Sequence, residues 1–389
     1  MASISATRSD DGSPRYVVNY RDPDNRQRRK SFRKKAEAEA FRNTVEADKL
    51  RGTYLDVDAG RVTFREYAAQ WLAGRTFDRT TYEATELRLR VHVLPMIGDL
   101  QLRQVKPSQI QNLLRSMELS DTYRRVILAN VSSIFAAAVD DDLIAKNPCK
   151  ASSVTRPSNV RRKVVPWPAE RVSAMHDALP ERYQLLVTLG AGLGLRQGEI
   201  FGLSPTDFDF LRGTVEVRRQ VRIVARQLVF ALPKGRKERT VPLPLSVAAE
   251  VNAHTSKFRP GRIVLPWNTP DRPERVEVAL LLTTRERSAL NRNYFNSQLW
   301  RPAQDRAGVE PTRDNGTHAL RHWYASVLLD AGESIRAVSE YLGHSDPGFT
   351  LRTYTHLMPS SAERTRIAVD SAFDLAREAT AFSGAESSN

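Results

Sequence analysis

The chain has a single cysteine, Cys149, so neither an intrachain disulfide nor an all-cysteine zinc site can form. No run approaches the roughly 18 to 20 apolar residues that a membrane span requires. The opening MASISATRSDDGSPR carries two aspartates and no apolar core, unlike a secretory signal, and the cytosol is the expected compartment. There is no GxxxxGKS or GxxxxGKT phosphate loop and no HExxH metal helix. The Gly-rich stretch AGLGLRQGE holds a G-x-G at best and lies in helix-like sequence. Seven histidines and one cysteine fall into no zinc spacing, and no segment clusters carboxylates as a metal nuclease would. Acidic charge is scarce as well: 45 Asp and Glu stand against 59 Lys and Arg, a net charge of +14. That balance points to a polyanionic partner, nucleic acid first and an anionic membrane surface second. The second would need a basic amphipathic helix, which is not found. Hydrophobic residues at 41% supply enough apolar material for packed cores, against a wholly disordered basic protein.

The 389 residues divide into segments of different pattern. In residues 1–59, Arg15 to Tyr20 reads as a strand, Asp22-Pro23-Asp24-Asn25 as a turn, Gln27 to Phe32 as a returning strand and Ala36 to Leu50 as a helix. Seven of the ten residues from Arg26 to Lys35 are basic and none is acidic; Arg26, Arg28, Arg29, Lys30, Arg33 and Lys34 are candidate DNA contacts. A two-stranded ribbon fits a major groove, although the same run also fits a solvated face.

Residues 61–151 read as an all-helical bundle. Thr63 and Glu66 form a T-x-x-E capping box, Thr80 or Thr81 opens a helix that Pro95 ends, and Pro107 starts a short one. Thr122 to Leu143 is the longest predicted helix, with Val126, Ala129, Ile134, Ala137 and Ala138 on its apolar face. Residues 152–168 read as an extended linker whose Arg161, Arg162 and Lys163 could follow a duplex or simply be solvated.

Residues 169–376 are mixed, with helices from Ala169 and from Tyr183 to Leu193, strands over 214–224, 226–232 and 238–243, and helix again after Pro242. Pro233-Lys234-Gly235-Arg236-Lys237 reads as the tight element joining the last two strands. Residues 377–389 are small and polar and read as a flexible tail.

Three clusters in this segment can do chemistry. Arg196 follows a Gly-containing turn, and Glu199, three residues on, can hold its guanidinium; alone, the pair reads as a structural salt bridge. His318 and Arg321, in HALR, share a helix face after the turn Asn315-Gly316-Thr317. Gly343 can end a helix and present His344, and Tyr354 follows ten residues later. Each of these separately has an ordinary packing explanation.

Arg, a hairpin Lys, HxxR, LGH and a late Tyr, in this order and at these distances, resemble the tyrosine recombinases, or phage integrase family. The resemblance covers the third segment. The helical segment resembles that family's core-binding domain, and residues 1–59 resemble the arm-binding domain of lambda-type integrases. The implied fold is multidomain α+β: a small β-sheet-plus-helix N-terminal domain, an all-α core-binding bundle and a mainly-α catalytic domain with a small antiparallel sheet.

The resemblance implies that Tyr354 is a nucleophile forming a 3′-phosphotyrosyl bond to DNA. Arg196 and Arg321 would clamp the non-bridging phosphate oxygens, which a planar guanidinium does better than an ammonium. Lys234, or else Lys237, would protonate the leaving 5′-oxygen. His318 would assist proton transfer at the tyrosine, His344 would hydrogen-bond the phosphate, and Glu199 would support the arginine. No cofactor or metal is implied. The implied partners are double-stranded DNA at core and arm attachment sites, a homotetramer on that DNA, and an excisionase and a host DNA-bending protein as helpers, in a bacterial cytoplasm at the nucleoid. Ile367, Val369, Phe373 and Leu375 can form an apolar helix face that packs in cis or on a neighbouring protomer. Three alternatives remain: a recombinase for chromosome-dimer resolution or cassette exchange, a type IB topoisomerase, and a non-catalytic DNA-binding protein on a decayed recombinase scaffold.

Overall fold

The computed structural model describes residues 2–8, 12–22, 25–51, 59–158, 163–268, 275–344 and 346–354, with 366 and 369. Arg161 and Arg162 of the linker, and Ile367, Phe373 and Leu375 of the C-terminal segment, lie outside the described residues. The chain separates into two compact units, Met1–Arg161 and Arg162–Asn389.

The first unit opens with a three-stranded antiparallel sheet, β1 (Ser3–Arg8), β2 (Pro14–Arg21) and β3 (Gln27–Phe32), in that spatial order. The sequence reading had only the last two strands. Val18 and Tyr20 alternate onto one face, and helix α1 (Lys35–Arg51) covers it with Ala38, Phe41 and Val45. The register sets Val18 opposite Lys30 and Tyr20 opposite Arg28, so alternate basic residues of β3 turn toward the helix. Arg28 pairs with the buried Asp22 at 3.0 Å, and the Lys30 ammonium lies 4.5 Å from the Phe41 ring centre. Arg26, Arg29, Arg33 and Lys34 are exposed. The basic run is therefore not one continuous face.

The rest of this unit is helical: α2 (Phe64–Ala73), α3 (Arg79–Arg88), α4 (Leu94–Ile97), α5 (Pro107–Arg115) and α6 (Asp121–Asp140). The Thr63–Glu66 capping box forms with both reciprocal bonds. Helix α3 starts before Thr80, because Asp78 caps it by accepting from the Thr81 N–H. Pro95 does not end the helical path. A π-turn at Leu89–Val93 leads into α4, where Pro95 occupies the first turn. Helix α6 buries Ile127, Val131, Ile134, Phe135 and Ala138, whereas Val126 and Ala129 are exposed. Its sequence is apolar on more than one side. Packing selects the buried face, with Phe135 meeting Phe64 of α2 at 5.2 Å. The start of the linker is not free: Val154 is buried in the helical core, and the Thr155 N–H donates to Gln111 Oε1 at 2.8 Å.

In the second unit, α7 (Ala169–Ala178) and α8 (Glu181–Leu193) lead to α9 (Gln197–Gly202). Helix α8 is apolar nearly all round and runs through the core, burying Leu185, Leu186, Leu189 and Leu193. Strands β4 (Phe208–Asp209), β5 (Thr214–Val217), β6 (Gln220–Val224), β7 (Gln227–Ala231) and β8 (Arg239–Pro242) follow. The stretch 214–224, read as one strand, is two strands in separate sheets. Arg219 breaks it by turning inward to Asp207, with bonds of 2.7 and 2.9 Å, and to the Gly202 carbonyl. Strand β5 pairs with β4 and β8, while β6 pairs with β7. Residues 233–237 consequently link strands of different sheets rather than hydrogen-bonded partners.

Helix α10 (Leu245–Lys257) meets the expectation of helix after Pro242, but the antiparallel pair β9 (Gly261–Pro266) and β10 (Arg275–Leu280) does not. The chain then forms α11 (Arg292–Phe295), α12 (Arg301–Arg306), α13 (His318–Asp330), α14 (Ile335–Leu342) and α15 (Pro347–Tyr354). Trp167, at the end of the linker, is buried here, stacked on Trp300 and donating to Asn315 Oδ1 at 3.0 Å. No described helix is long and apolar enough to cross a membrane.

Candidate active site

Two helix ends frame the site. Helix α8 stops at Gly194 (φ 63°) and α14 at Gly343 (φ 62°), both in the left-handed region that glycine enters without a Cβ penalty. A Cβ on Gly194 would also lie 2.3 Å from a Tyr324 ring carbon. The chain leaving the first glycine delivers Arg196 as the N-cap of α9; the chain leaving the second delivers His344.

Arg321 joins these two ends. It projects from α13, is 1% exposed, and donates through Nη1 to the Gly194 carbonyl at 2.7 Å and through Nη2 to the Leu342 carbonyl. Carbonyls at helix C-termini carry partial negative charge, so a guanidinium is well placed between them. Burial, and then the nearby Arg196, bring its pKa down to about 9, which still leaves a cation at neutral pH. The Arg321 Nε–H is buried and has no hydrogen-bond partner among the described residues. A buried donor left unpaired is unusual and marks a position where an acceptor would be favoured.

Glu199, fully buried on α9, is the local counter-charge. It accepts from the Arg196 backbone N–H at 3.0 Å and from Arg196 Nη1 at 2.9 Å. It also accepts from Arg239 Nη1 at 3.1 Å and Nη2 at 2.7 Å, a forked pair. Burial pushes its carboxyl up, but the bonds and charge of Arg239, with Arg196 and Arg321 behind, override this and hold it at about 2. Arg239 was not singled out from sequence. It donates through Nε to the Tyr341 carbonyl at 2.7 Å and so also holds the end of α14. Nothing local in GRKERT separates it from its basic neighbours; only the pairing of β8 with β5 turns it inward. Three guanidiniums thus surround one carboxylate.

Three histidines line the same place, and none is charged at neutral pH. His318 is pushed down to about 3 by burial, and further by His322 and Arg321. His344 is held at about 3 by burial, then Arg321 and Arg196. His322 is held at about 4 by burial and then Arg321. His344 Nδ1 shares a hydrogen bond of 2.7 Å with the buried Thr350 hydroxyl on α15, tying the turn after Gly343 to the helix that ends in Tyr354. The Tyr354 side chain is 1% exposed, and burial pushes its hydroxyl up to about 12 despite Arg321 and Arg196.

The tyrosine hydroxyl meets His322, not His318: His322 Nδ1 lies 2.7 Å from Tyr354 Oη. His318 instead sets its ring edge-on to His322, with centres 4.7 Å apart. His322 was overlooked because it follows Arg321 directly; the available signal was its i, i+4 spacing from His318. Thr317 precedes α13 but makes no side-chain cap. Lys234 and Lys237 are both exposed in the β7–β8 connection, and no hydrogen bond or ion pair ties either to the cluster among the described residues. No group of three or more His, Cys, Asp or Glu among the described residues could hold a metal ion.

Comparison with known proteins gives a consistent picture. The sequence pattern described as the phage integrase family matches residues 169–360, and that of the phage integrase N-terminal SAM-like domain matches 63–117. Among curated proteins, the chain is 28% identical over 371 residues to a "Tyrosine recombinase XerC-like" of Caldanaerobacter subterraneus subsp. tengcongensis, covering 87% of this chain and 90% of the relative. It is 26% identical over 317 residues to an "Integrase" of Mycobacterium phage FRAT1, covering 80% and 88% respectively. Among solved structures, a Tn1549 transposon integrase in complex with transposon right end DNA matches with a TM-score of 0.67 at 19% identity, covering 79% of this chain and 99% of that one. A lambda integrase tetramer bound to a Holliday junction matches with a TM-score of 0.55 at 15% identity, covering 88% and 96%.

Proposed function

Since the chain belongs to the phage integrase family, the tyrosine-type site-specific DNA recombinases, we propose that it integrates a phage or other mobile element through a covalent Tyr354–DNA intermediate. One observation carries this reading. The guanidiniums of Arg196 and Arg239 pair with a single carboxylate, Glu199, and Arg321 lies within electrostatic reach of both that carboxylate and the Tyr354 hydroxyl. The surplus positive charge and the unpaired Arg321 Nε–H suit a phosphodiester anion.

In this reading Tyr354 Oη attacks phosphorus. Charge grows on the non-bridging oxygens, and Arg196 and Arg321 stabilise it from positions set before the reaction begins. His344 donates to the same phosphate. Lys234, or Lys237 in its place, protonates the departing 5′-oxygen; its exposed loop would have to close over the bound strand. The phosphotyrosyl bond conserves the energy of the broken phosphodiester, so the 5′-hydroxyl of another strand can reseal it without ATP. Two such exchanges through a Holliday junction require four protomers on two duplexes, with an excisionase and a DNA-bending protein as helpers for the reverse reaction in a bacterial cytoplasm.

DNA contact outside the site falls to exposed cations. Arg26, Arg29, Arg33 and Lys34 around β3, and Lys163 of the linker, are available. Arg28 and Lys30 are less so, being engaged with Asp22 and Phe41. Intact residues Arg196, His318, Arg321, His344 and Tyr354 favour an active enzyme over a decayed DNA binder, and the sheet-plus-helix at the N-terminus favours an integrase over a topoisomerase.

The test uses supercoiled plasmid carrying the DNA that flanks this gene, incubated without metal and quenched with SDS. Wild type should leave protein covalently attached to DNA and Tyr354→Phe none. An equal adduct from both would remove Tyr354 as nucleophile.

A further inference from the structure

We propose that His322 is the group that takes the Tyr354 proton when the hydroxyl attacks phosphorus, and that His318 acts by positioning His322. The inference rests on the reading of Tyr354 as nucleophile.

The geometry is direct. His322 Nδ1 stands 2.7 Å from Tyr354 Oη, within the range a general base needs, and no hydrogen bond joins His318 to that hydroxyl. The two rings of the pair are 5.6 Å apart, with the tyrosine at the end of α15 and the histidine one residue beyond Arg321 on α13. One side chain thus touches the nucleophile while its neighbour in sequence binds the phosphate clamp's frame. His318, one helical turn earlier, stands edge-on against His322 at 4.7 Å and limits the ring to its present orientation.

The proton balance closes. A phenol hydroxyl donates to the Nδ1 lone pair of a neutral imidazole whose own proton is on Nε2. As the Oη–P bond forms, the Oη–H proton passes to Nδ1 and the P–O5′ bond breaks, the 5′-oxygen taking a proton from the lysine. Resealing runs the same transfers backward. Burial and Arg321 keep His322 neutral, hence with a free lone pair, across the physiological range. The same burial keeps Tyr354 protonated at rest. The proton therefore waits on the tyrosine until bonding to phosphorus makes it acidic, while a bound phosphodiester offsets the field of Arg321 on the imidazole.

The test compares wild type, His322→Ala and His322→Gln in the full chain. Single-turnover adduct formation is followed on the flanking-DNA plasmid, with tyrosine or 3,5-difluorotyrosine at position 354. The fluorinated phenol ionises well below the ordinary tyrosine value of about 10 and depends less on a base. Both variants should form adduct at least about a hundred-fold more slowly at pH 7, with unchanged DNA affinity. Fluorination should restore most of that loss while changing the wild-type rate little. Cleavage by His322→Gln at the wild-type rate would overturn the proposal, as would a loss that fluorination does not relieve, which would reduce His322 to a packing contact. If His322→Ala fails to fold, the near-isosteric Gln variant decides alone. Absence of a Tyr354-dependent adduct from wild type on plasmid it binds would remove the nucleophile itself, and is distinguishable because it appears without any substitution.

Discussion

On β3 and at its two ends, Arg26, Arg29, Arg33 and Lys34 stand in solvent, whereas around Glu199 the guanidiniums of Arg196, Arg239 and Arg321 are largely withdrawn from water. The same side chain serves two physical purposes. In water its charge is screened within about 10 Å, and many weak phosphate contacts add up without any one being decisive. Out of water each guanidinium must have a partner, so Arg239 and Arg196 converge on Glu199 and Arg321 on two helix-end carbonyls. The arrangement gives exact direction to a few charges. It also makes the site fragile, because every removal leaves another group unpaired.

That contrast can be broken at its strongest point first. Arg321→Ala should cut adduct formation on flanking DNA by about a thousand-fold, since one preorganised donor commonly carries two to three orders of magnitude. Affinity measured by gel shift should change little. A matching collapse of affinity would show that the buried cluster and β3 do the same job. Next, Glu199→Gln removes the carboxylate that pairs with Arg196 and Arg239, the only one to do so among the described residues. It should lower the unfolding free energy by about 3 kcal/mol in denaturant titration, the usual range when one member of a buried ionic group is deleted. A change below about 0.5 kcal/mol would mean that the cluster is wetter than its burial indicates. The smallest effect belongs to the exposed side. Arg29→Ala should reduce the slope of log affinity against log salt for DNA by about 0.9, one phosphate contact, with the equilibrium constant falling severalfold. Arg28→Ala should change the slope less, because Arg28 is already paired with Asp22.

Features set by neighbouring residues were legible. The Thr63 capping box, the apolar α8, and the stop at Gly343 that presents His344 each depend on a few consecutive positions. The order Arg196, His318, Arg321, His344, Tyr354 was readable too, and the fold brings Arg196, Arg321 and Tyr354 within electrostatic reach of one another. Less legible were choices among equivalent residues. On α6, Val126 looks as apolar as Ile127, and only packing on Phe64 tells them apart. The stretch 214–224 has strand character throughout, yet Arg219 divides it by turning toward Asp207. The β9–β10 pair does carry local signals against helix, Pro260-Gly261, Pro266 and the alternating Val276-Glu277-Val278, and reading helix there passed over them.

By itself, then, the sequence determined the chemistry available to this protein: a basic chain, one late tyrosine, and the arginines and histidines that suit a phosphodiester. It also determined some helix starts and stops, such as those at Thr63 and Gly343, which arise from hydrogen bonds within one turn. Tertiary structure alone decided which histidine meets the tyrosine, which arginine shares Glu199, and which half of the basic strand faces solvent. The first two join residues 32 and 40 positions apart, as His322 to Tyr354 and Glu199 to Arg239, and the third rests on strand register and on the helix packed across it. Such contacts form where chain closure and close packing bring segments together, and local propensity carries no information about them.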